Sequence, residues 1–318
     1  MTARSKTGIF SGRKQRAESA GEGFVHLDPL LVSKLQRLDL VARLVVEGFL
    51  TGLHRSPYHG FSVEFAEHRP YMPGDSLRHV DWKVYGKRDR YYVKKYEEET
   101  NLRAHLILDA SASMGYKSGG AVFSKFDYGV RLAAALTYLM LHQQDSVGLL
   151  LFADQVLRFV PPRSAPSQLR LVLAELDKAR VQGTTEIGQS LHHLAAQVRR
   201  RGLVILISDL MDDPAKILSG LKHFRHRKHE VIVFHVLDPA EIDFPFKEES
   251  VFIDSETQEK LTTIPWEIAD EYEARLAAWK KLYKKECADH HVDYVEIRTD
   301  MPFDLALLRY LEKRKKLH

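Results

Sequence analysis

The segment LILDASASMGY, residues 106–116, is an apolar run that ends in one carboxylate and two hydroxyls placed two positions apart. A short apolar run of this kind predicts a buried strand, and Asp109 lies where that strand ends. In an open α/β sheet, ligands bind outside the carboxyl ends of the strands. Ser111 and Ser113 follow in the loop, where alternate positions of an extended chain point the same way. We therefore expect the oxygens of these three residues to converge at one sheet edge.

Apolar runs alternate with helical segments from residue 101 onward. The runs are LRAHLILD, SVGLLLFA, LVILISD, EVIVFHVLD and VDYVEIRT, and the helical segments centre on residues 123–142, 167–179, 186–201, 214–227, 266–289 and 304–314. This alternation predicts an α/β fold, in which a mainly parallel, doubly wound sheet is covered by helices on both faces. The segment VFIDSETQEKLTTI, residues 251–264, predicts a hairpin inserted before the long charged helix.

Three stretches of the chain differ in character. Residues 1–22 are basic and rich in Ser and Gly, and they lack the apolar middle of a secretory signal, so we expect a disordered tail. Residues 23–100 combine helical spacing of apolar residues with a small strand-rich segment. Residues 101–318 carry the predicted sheet domain.

The composition narrows the class of protein. The 318 residues are 44% hydrophobic and carry a formal net charge of +4, and this near-balanced charge argues against a nucleic-acid partner. Cys287 is the one cysteine of the sequence, which excludes an internal disulfide and disfavours a cysteine-based zinc site. The apolar stretch LAAALTYLML, residues 132–141, falls short of the roughly 20 residues that a membrane span needs. We therefore expect a cytoplasmic protein without an integral membrane segment.

Two further oxygen donors are predicted to lie at the same sheet edge. Thr185 precedes a helix in GTTEIG, with Thr184 as its alternative, and Asp209 ends the run LVILISD. Together with Asp109, Ser111 and Ser113 they form a hydroxyl-rich set that suits Mg²⁺, with Mn²⁺ or Ca²⁺ as alternative ions. The ion would keep positive charge that attracts an acidic group from outside. The alternative is structural, with both aspartates capping helices and the hydroxyls bonding to loop amides.

The segments DASAS, GTTEI and ISDL resemble the three pieces of the metal-ion-dependent adhesion site in von Willebrand factor A-type domains. The resemblance implies a Rossmann-type sheet with a first loop of Asp109, Ser111 and Ser113, a second-loop ligand at Thr185 and a third-loop carboxylate at Asp209. It also implies that the hydroxyls contact Mg²⁺ directly and that one or both carboxylates act through water. The Thr-x-Ile spacing favours Thr185 over its neighbour.

The upstream segment FAEHRPYMPGDSLRHVDWKVYGKRDRYYVKKYEEE resembles the signature of the bacterial domain-of-unknown-function family 58. That signature is matched at Arg69, Tyr71, Gly74, Asp75, Arg78, Asp81 and Trp82. We expect these residues to be mainly structural, because ion pairs and packing are the commoner use of such side chains. The resemblance implies association with a MoxR-type AAA+ ATPase, in the assembly or maturation of other proteins.

These observations predict a Mg²⁺-dependent protein-binding module, not an enzyme, whose partner supplies an acidic residue to the metal. Neither a Gly-x-Gly-x-x-Gly turn after the first strand nor a phosphate-binding P-loop nor a Gly-x-Ser-x-Gly elbow occurs in the sequence. Two alternatives stay open. One is a metal-dependent phosphohydrolase or nuclease that uses Asp109 and Asp209, and the other is a nucleic-acid-binding protein that uses the basic tail and residues 69–95.

Overall fold

The computed structural model describes residues 37–55, 68–70, 92–94, 102–183, 187–198 and 200–317. The predicted tail, residues 1–22, lies outside these ranges, and so does Thr185. Of the upstream signature, Arg69 falls within them and its six other residues do not.

The described elements follow one another in this order: α1 (Leu38–Arg55), β1 (His68–Pro70), β2 (Tyr92–Lys94), β3 (Arg103–Asp109), α2 (Lys125–His142), β4 (Ser146–Phe152), β5 (Val156–Arg163), α3 (Ser167–Lys178), α4 (Ile187–Gln197), β6 (Leu203–Ser208), α5 (Pro214–His226), β7 (Glu230–Leu237), α6 (Pro239–Asp243), β8 (Ser250–Ile253), β9 (Lys260–Thr263), α7 (Pro265–Asp289), β10 (Val292–Arg298) and α8 (Asp304–Leu317). A 3₁₀ turn spans Ala112–Gly115, between β3 and α2.

Six strands form the central sheet, in the spatial order β10-β7-β6-β3-β4-β5. Numbered along the chain, they read 6-5-4-1-2-3, which is the doubly wound order with its switch point between β3 and β6. All neighbouring pairs are parallel except β4 and β5. The predicted α/β fold with a mainly parallel sheet is confirmed.

Both faces of this sheet are buried, as its apolar strands predict. Along β3, Leu106 and Leu108 belong to one apolar core, while Ile107 between them belongs to the other. The first core also takes in one side of α1, including Val41, Val45 and Phe49, which packs with α2. Because successive residues of a strand point to opposite faces, a strand between two cores is apolar at nearly every position.

Strand β5 was not anticipated from the sequence. It pairs with β4 alone, in antiparallel fashion, and much of it is exposed. Pro161 and Pro162 lie within it. Proline lacks the N–H that a sheet ladder needs, so it occurs in edge strands, and here it masks the strand pattern.

Two smaller strand pairs complete the description. Strands β8 and β9 form the predicted hairpin, with Ser250 opposite Thr263. Strands β1 and β2 pair in antiparallel fashion, with Arg69 opposite Val93. Across the described ranges, none of the helices combines the length and apolar character that crossing a bilayer requires.

Helices α4 and α5 approach each other closely at two glycines. A Cβ atom added at Gly188 would lie 2.5 Å from Cβ of Lys216, and one added at Gly220 would lie 2.6 Å from Cβ of Leu191. We expect Gly188→Ala to lower the free energy of unfolding by about 1–2 kcal/mol. Overpacking costs about 1–3 kcal/mol, and the higher helix propensity of Ala offsets at most about 1 kcal/mol of that cost. Chemical denaturation measures this, with Gly119→Ala as the control, since no atom lies within 4 Å of a Cβ added there. Equal midpoints for the two variants would contradict the close approach.

His105, in β3, makes stability depend on pH. Its burial, together with the charges of His229 and Arg103, lowers its pKa to about 4. Between about pH 6.5 and pH 4 the unfolded chain therefore binds more protons than the folded chain does. The free energy of unfolding falls as pH falls, by on the order of 3 kcal/mol for this residue.

We expect His105→Gln to flatten the dependence of unfolding free energy on pH across this window. His226→Gln, which changes an exposed histidine, should retain the slope, and an unchanged slope in His105→Gln would refute the assignment.

Candidate functional site

Two aspartates meet at the carboxyl edge of the sheet. Asp109 is the last residue of β3, and Asp209 directly follows β6. The two strands are parallel neighbours, with Leu108 paired to Ile207, so both carboxylates are delivered to the same place. Both side chains are fully buried. The predicted convergence of these two residues is therefore seen in the structure.

The carboxylate of Asp109 is held by hydrogen bonds, and within the described part of the chain no Lys, Arg or His forms an ion pair with it. The backbone N–H of Ser111 donates to its Oδ1 at 2.9 Å, and the Ser208 hydroxyl donates to its Oδ2 at 2.6 Å. Burial raises the pKa of Asp109 to about 7 and the charge of Asp209 adds to this rise, although the hydrogen bonds oppose it. A bound cation would stabilise the ionised form.

The two serine hydroxyls of the first loop lie side by side. Oγ of Ser111 and Oγ of Ser113 are 3.1 Å apart, on either side of the start of the 3₁₀ turn. Three of the five predicted ligands, Asp109, Ser111 and Ser113, therefore lie within five consecutive residues at the end of β3. The second loop approaches the same place, because the N–H of Ala112 donates to the carbonyl of Gly183, directly before the segment that contains Thr185.

A buried lysine that sequence reasoning missed neutralises Asp209. Lys125 begins α2, is 1% exposed, and places its Nζ 2.7 Å from Oδ2 of Asp209 and 2.6 Å from Oε1 of Glu241. Burial favours the neutral amine, but the two carboxylates outweigh it, so the pKa of Lys125 lies above its usual value. Burial raises the pKa of Glu241, and Lys125 opposes that rise. The site thus contains its own cation.

A neutral histidine fixes the backbone of Asp209. Burial lowers the pKa of His235 to about 3, so its ring is uncharged at neutral pH. Its Nε2 lies 3.0 Å from the carbonyl oxygen of Asp209, and its Nδ1 lies 2.5 Å from the hydroxyl of Tyr294. A carbonyl only accepts, so Nε2 carries the proton and Nδ1 accepts from Tyr294. The ring of Trp279 packs edge-on against this imidazole.

The structural alternative is also visible in part. Besides the Ser111 amide on Asp109, the N–H of Met211 donates to Oδ1 of Asp209 at 3.3 Å, and the N–H of Leu210 donates to the Ser208 hydroxyl. These bonds shape both loops whether or not an ion is present. They leave lone pairs on the carboxylates, since each carboxylate oxygen accepts more than one hydrogen bond.

The donor chemistry of the first loop fits a hard divalent cation. Asp109 supplies the charge, and Ser111 and Ser113 supply neutral oxygens, which is the ligand type that Mg²⁺ prefers. Among the residues that the structure describes, no group of three or more His, Cys, Asp or Glu side chains could hold a metal ion. A site here would therefore depend on hydroxyls. Asp209 differs from the other donors because Lys125 already binds its Oδ2.

A cavity of about 530 Å³ opens beside this loop and is here called the acidic cavity. Ser113, Lys125 and Glu241 reach it from the site just described. Its rim carries the carboxylates of Asp212, Asp254 and Glu256. The charge of Lys125 is shared between Asp209 and Glu241, so carboxylates outnumber cations among the described residues that line this cavity.

Comparison with known proteins gives a family match across residues 67–281, to the family described as "Protein of unknown function DUF58". An uncharacterised protein of Mycobacterium tuberculosis is 27% identical over 293 residues, which cover 91% of each chain. The solved structure of a conserved hypothetical protein, BatB, from Bacteroides thetaiotaomicron matches with a TM-score of 0.44 and 16% identity, over 68% of this chain and 98% of that one. The VWA domain of SpRpn10 matches with a TM-score of 0.36 and 13% identity, over 66% of this chain and 95% of the other.

Removal of the buried lysine tests the charge balance of the site. We expect Lys125→Met to lower the free energy of unfolding by about 3–5 kcal/mol, because it leaves Asp209 and Glu241 buried without their cation. Adding Glu241→Gln should recover part of this loss. Lys178→Met is the matched control, since Lys178 is exposed and lies 4.0 Å from its carboxylate partner. Denaturant titration measures all three, and a wild-type midpoint for Lys125→Met would contradict the role of this ion pair.

Proposed function

The chain belongs to the DUF58 family and has the doubly wound, mainly parallel sheet that its sequence resemblance to von Willebrand factor A-type domains implies. From this starting point we propose that it is a Mg²⁺-dependent protein-binding module. One observation carries the proposal. A buried carboxylate, Asp109, stands beside the hydroxyls of Ser111 and Ser113 at the switch point of the sheet, where doubly wound folds bind ligands.

Each residue of the proposed site has a separate task. Asp109 supplies the negative charge, while Ser111 and Ser113 supply neutral oxygens, and Thr185 and Asp209 are proposed to complete the set. When bound, the ion would offer positive charge and an open coordination position to an acidic residue of the partner. Neutral ligands suit this task, because they leave the charge of the ion largely uncancelled.

Lys125 contributes by offsetting part of the charge of the second carboxylate, because its ammonium is shared between Asp209 and Glu241. At the first loop, the two positive charges of the ion would then face the single negative charge of Asp109. This local excess of positive charge favours capture of a carboxylate from outside. His235 keeps the Asp209 backbone in place throughout.

We propose that the module acts as an adaptor or co-chaperone with a MoxR-type AAA+ ATPase. The resemblance of the Arg69 to Trp82 segment to the family signature supports this partner. Purification of the tagged chain from its native host, with Mg²⁺ and ATP present, should recover such an ATPase together with client proteins. Recovery of other partners alone would argue against it.

Metal binding can be measured without a partner. A ligand that binds the folded state alone stabilises it by about 2.7 kcal/mol at one hundred times its Kd. We therefore expect Mg²⁺ to raise the melting temperature of the wild type, Asp109→Asn to abolish the rise, and Ser113→Ala to weaken Mg²⁺ binding by about tenfold. Asp177→Asn, which changes an exposed aspartate on α3, should respond as the wild type does.

The functional consequence is tested with the recovered partner. Capture should be lost in EDTA, restored by Mg²⁺, and absent for Asp109→Asn. Equal capture under all these conditions would reject metal-dependent recognition. The alternative hydrolase is tested in the same preparation, because it requires turnover of a phosphate ester that disappears in Asp109→Ala and Asp209→Ala.

A further inference from the structure

An apolar pocket of about 300 Å³ lies next to the acidic cavity and is here called the aromatic pocket. Its walls come from the residues after α6, from the β8–β9 hairpin and from the start of α7. The side chains that line most of it are Phe244, Phe246, Phe252, Leu261, Ile268 and Tyr272. None of these residues takes part in the proposed metal site, so the pocket needs a separate explanation.

The pocket is held in shape by stacked rings. Phe244 stacks on Tyr272, with ring centroids 4.5 Å apart, and Phe246 meets Phe252 edge-on at 5.1 Å. Phe244 also has a left-handed backbone, with φ of 41°, which is unfavourable for a bulky side chain. Strain of this kind persists where the surroundings enforce it, and it is concentrated at ligand-binding sites.

The hairpin divides its apolar residues between two directions. Phe252 lines the pocket, while its neighbours Val251 and Ile253 point away and are 53% and 51% exposed. Leu261, on the facing strand, lines the pocket although it is 61% exposed. The pocket therefore opens to the surface on its hairpin side. A pocket with an apolar lining and an open mouth suits one large apolar side chain from a partner.

The mouth of the aromatic pocket adjoins negative charge. Tyr116 and Glu241 line both cavities, so the two adjoin. Asp254, in the hairpin turn, accepts backbone N–H bonds from Thr257 and Glu256, which lower its pKa and keep it ionised. Asp212 adds a carboxylate to the same rim. A residue that flanks the inserted side chain would thus meet a surface that favours a cation.

We propose that the aromatic pocket and the acidic rim bind a segment of a partner protein in which a large apolar side chain is flanked by Lys or Arg. The apolar side chain enters between Phe252, Leu261 and Tyr272, and the basic side chain lies against Asp254 and Asp212. This recognition goes beyond the metal-dependent function and operates without a divalent ion. The acidic rim also selects against segments with acidic flanks, because like charges in contact are unfavourable.

Binding of defined peptides in EDTA tests the proposal on the full chain. Four fluorescent peptides share a Gly-Ser frame and differ in their cores, which are Lys-Phe-Lys, Ser-Phe-Ser, Glu-Phe-Glu and Lys-Ala-Lys. Fluorescence anisotropy should show the tightest binding for Lys-Phe-Lys, at least about tenfold tighter than for Lys-Ala-Lys. Affinity should fall through Ser-Phe-Ser to Glu-Phe-Glu, and the difference between these three should shrink as salt is raised.

Matched variants separate the two parts of the site. Phe252→Ala should reduce binding of Lys-Phe-Lys to the level of Lys-Ala-Lys, while Val251→Ala, on the outer face of the same strand, should bind as the wild type does. Asp254→Asn keeps an acceptor for the turn amides and should bring the affinities for Lys-Phe-Lys and Ser-Phe-Ser closer together. Circular dichroism confirms that each variant is folded.

Three results would overturn the proposal. Equal binding of Lys-Phe-Lys and Lys-Ala-Lys would mean that the pocket does not receive the apolar side chain, and a preference for Glu-Phe-Glu would contradict the role of the rim. Concentration-dependent dimers in sedimentation velocity that Phe252→Ala abolishes would assign the pocket to a second copy of this chain. Since the peptides are tested in EDTA, these results are independent of whether Mg²⁺ binds.

Discussion

Two carboxylates buried next to each other at the end of a parallel sheet require positive charge, and this requirement organises the site. Lys125 meets it for Asp209 by placing its ammonium between that residue and Glu241. The ion pair joins the start of α2, the loop after β6 and the short helix α6, three parts of the chain that are far apart in sequence. Asp109 has hydrogen-bond donors but no such cation among the residues that the structure describes, and this difference between the two aspartates suggests where an ion would bind.

The fold could be predicted from the sequence because its strands are buried on both faces. Apolar runs such as LVILISD mark both the strand and the point where it ends, so the sequence alone predicts that Asp109 and Asp209 lie at one edge. Strand β5 could not be predicted. It is an exposed edge strand, so it lacks the continuous apolar run of the other strands, and because it pairs on one side only it can contain Pro161 and Pro162.

The supporting residues of the site could not be predicted, since their roles depend on contacts between distant segments. A lysine at the start of a helix is ordinarily solvated, and Lys125 is buried because Asp209 and Glu241 receive it. His235 lies in an apolar strand and gives no sign in sequence that it holds the Asp209 carbonyl. Thr185 falls outside the described ranges, as do the signature residues after Arg69, so their roles stay predictions.

Helix α6 connects the charged site to the aromatic pocket. Asp238 and Glu241 form a capping box at its start, Glu241 also binds Lys125, and Phe244 at its end lines the pocket. The Tyr272 hydroxyl donates to the Glu241 carbonyl and ties this helix to α7. A partner that fills the pocket would therefore press on the same five-residue helix that holds the buried ion pair.

The charge around the site favours protein recognition over phosphate chemistry. A phosphoryl-transfer site places cations around the transferring group. Of the described residues that line the acidic cavity, Lys125 alone has a cationic side chain, and two carboxylates already neutralise it. The rim carboxylates Asp212 and Asp254 would repel a phosphate ester. They would also repel the carboxylate of a protein partner, unless a divalent ion outweighs them or a basic residue in the same segment offsets them. Recognition that combines an acidic residue at the ion with a basic, apolar segment at the aromatic pocket satisfies both conditions, whereas a free phosphate ester carries no basic residue to offset the rim.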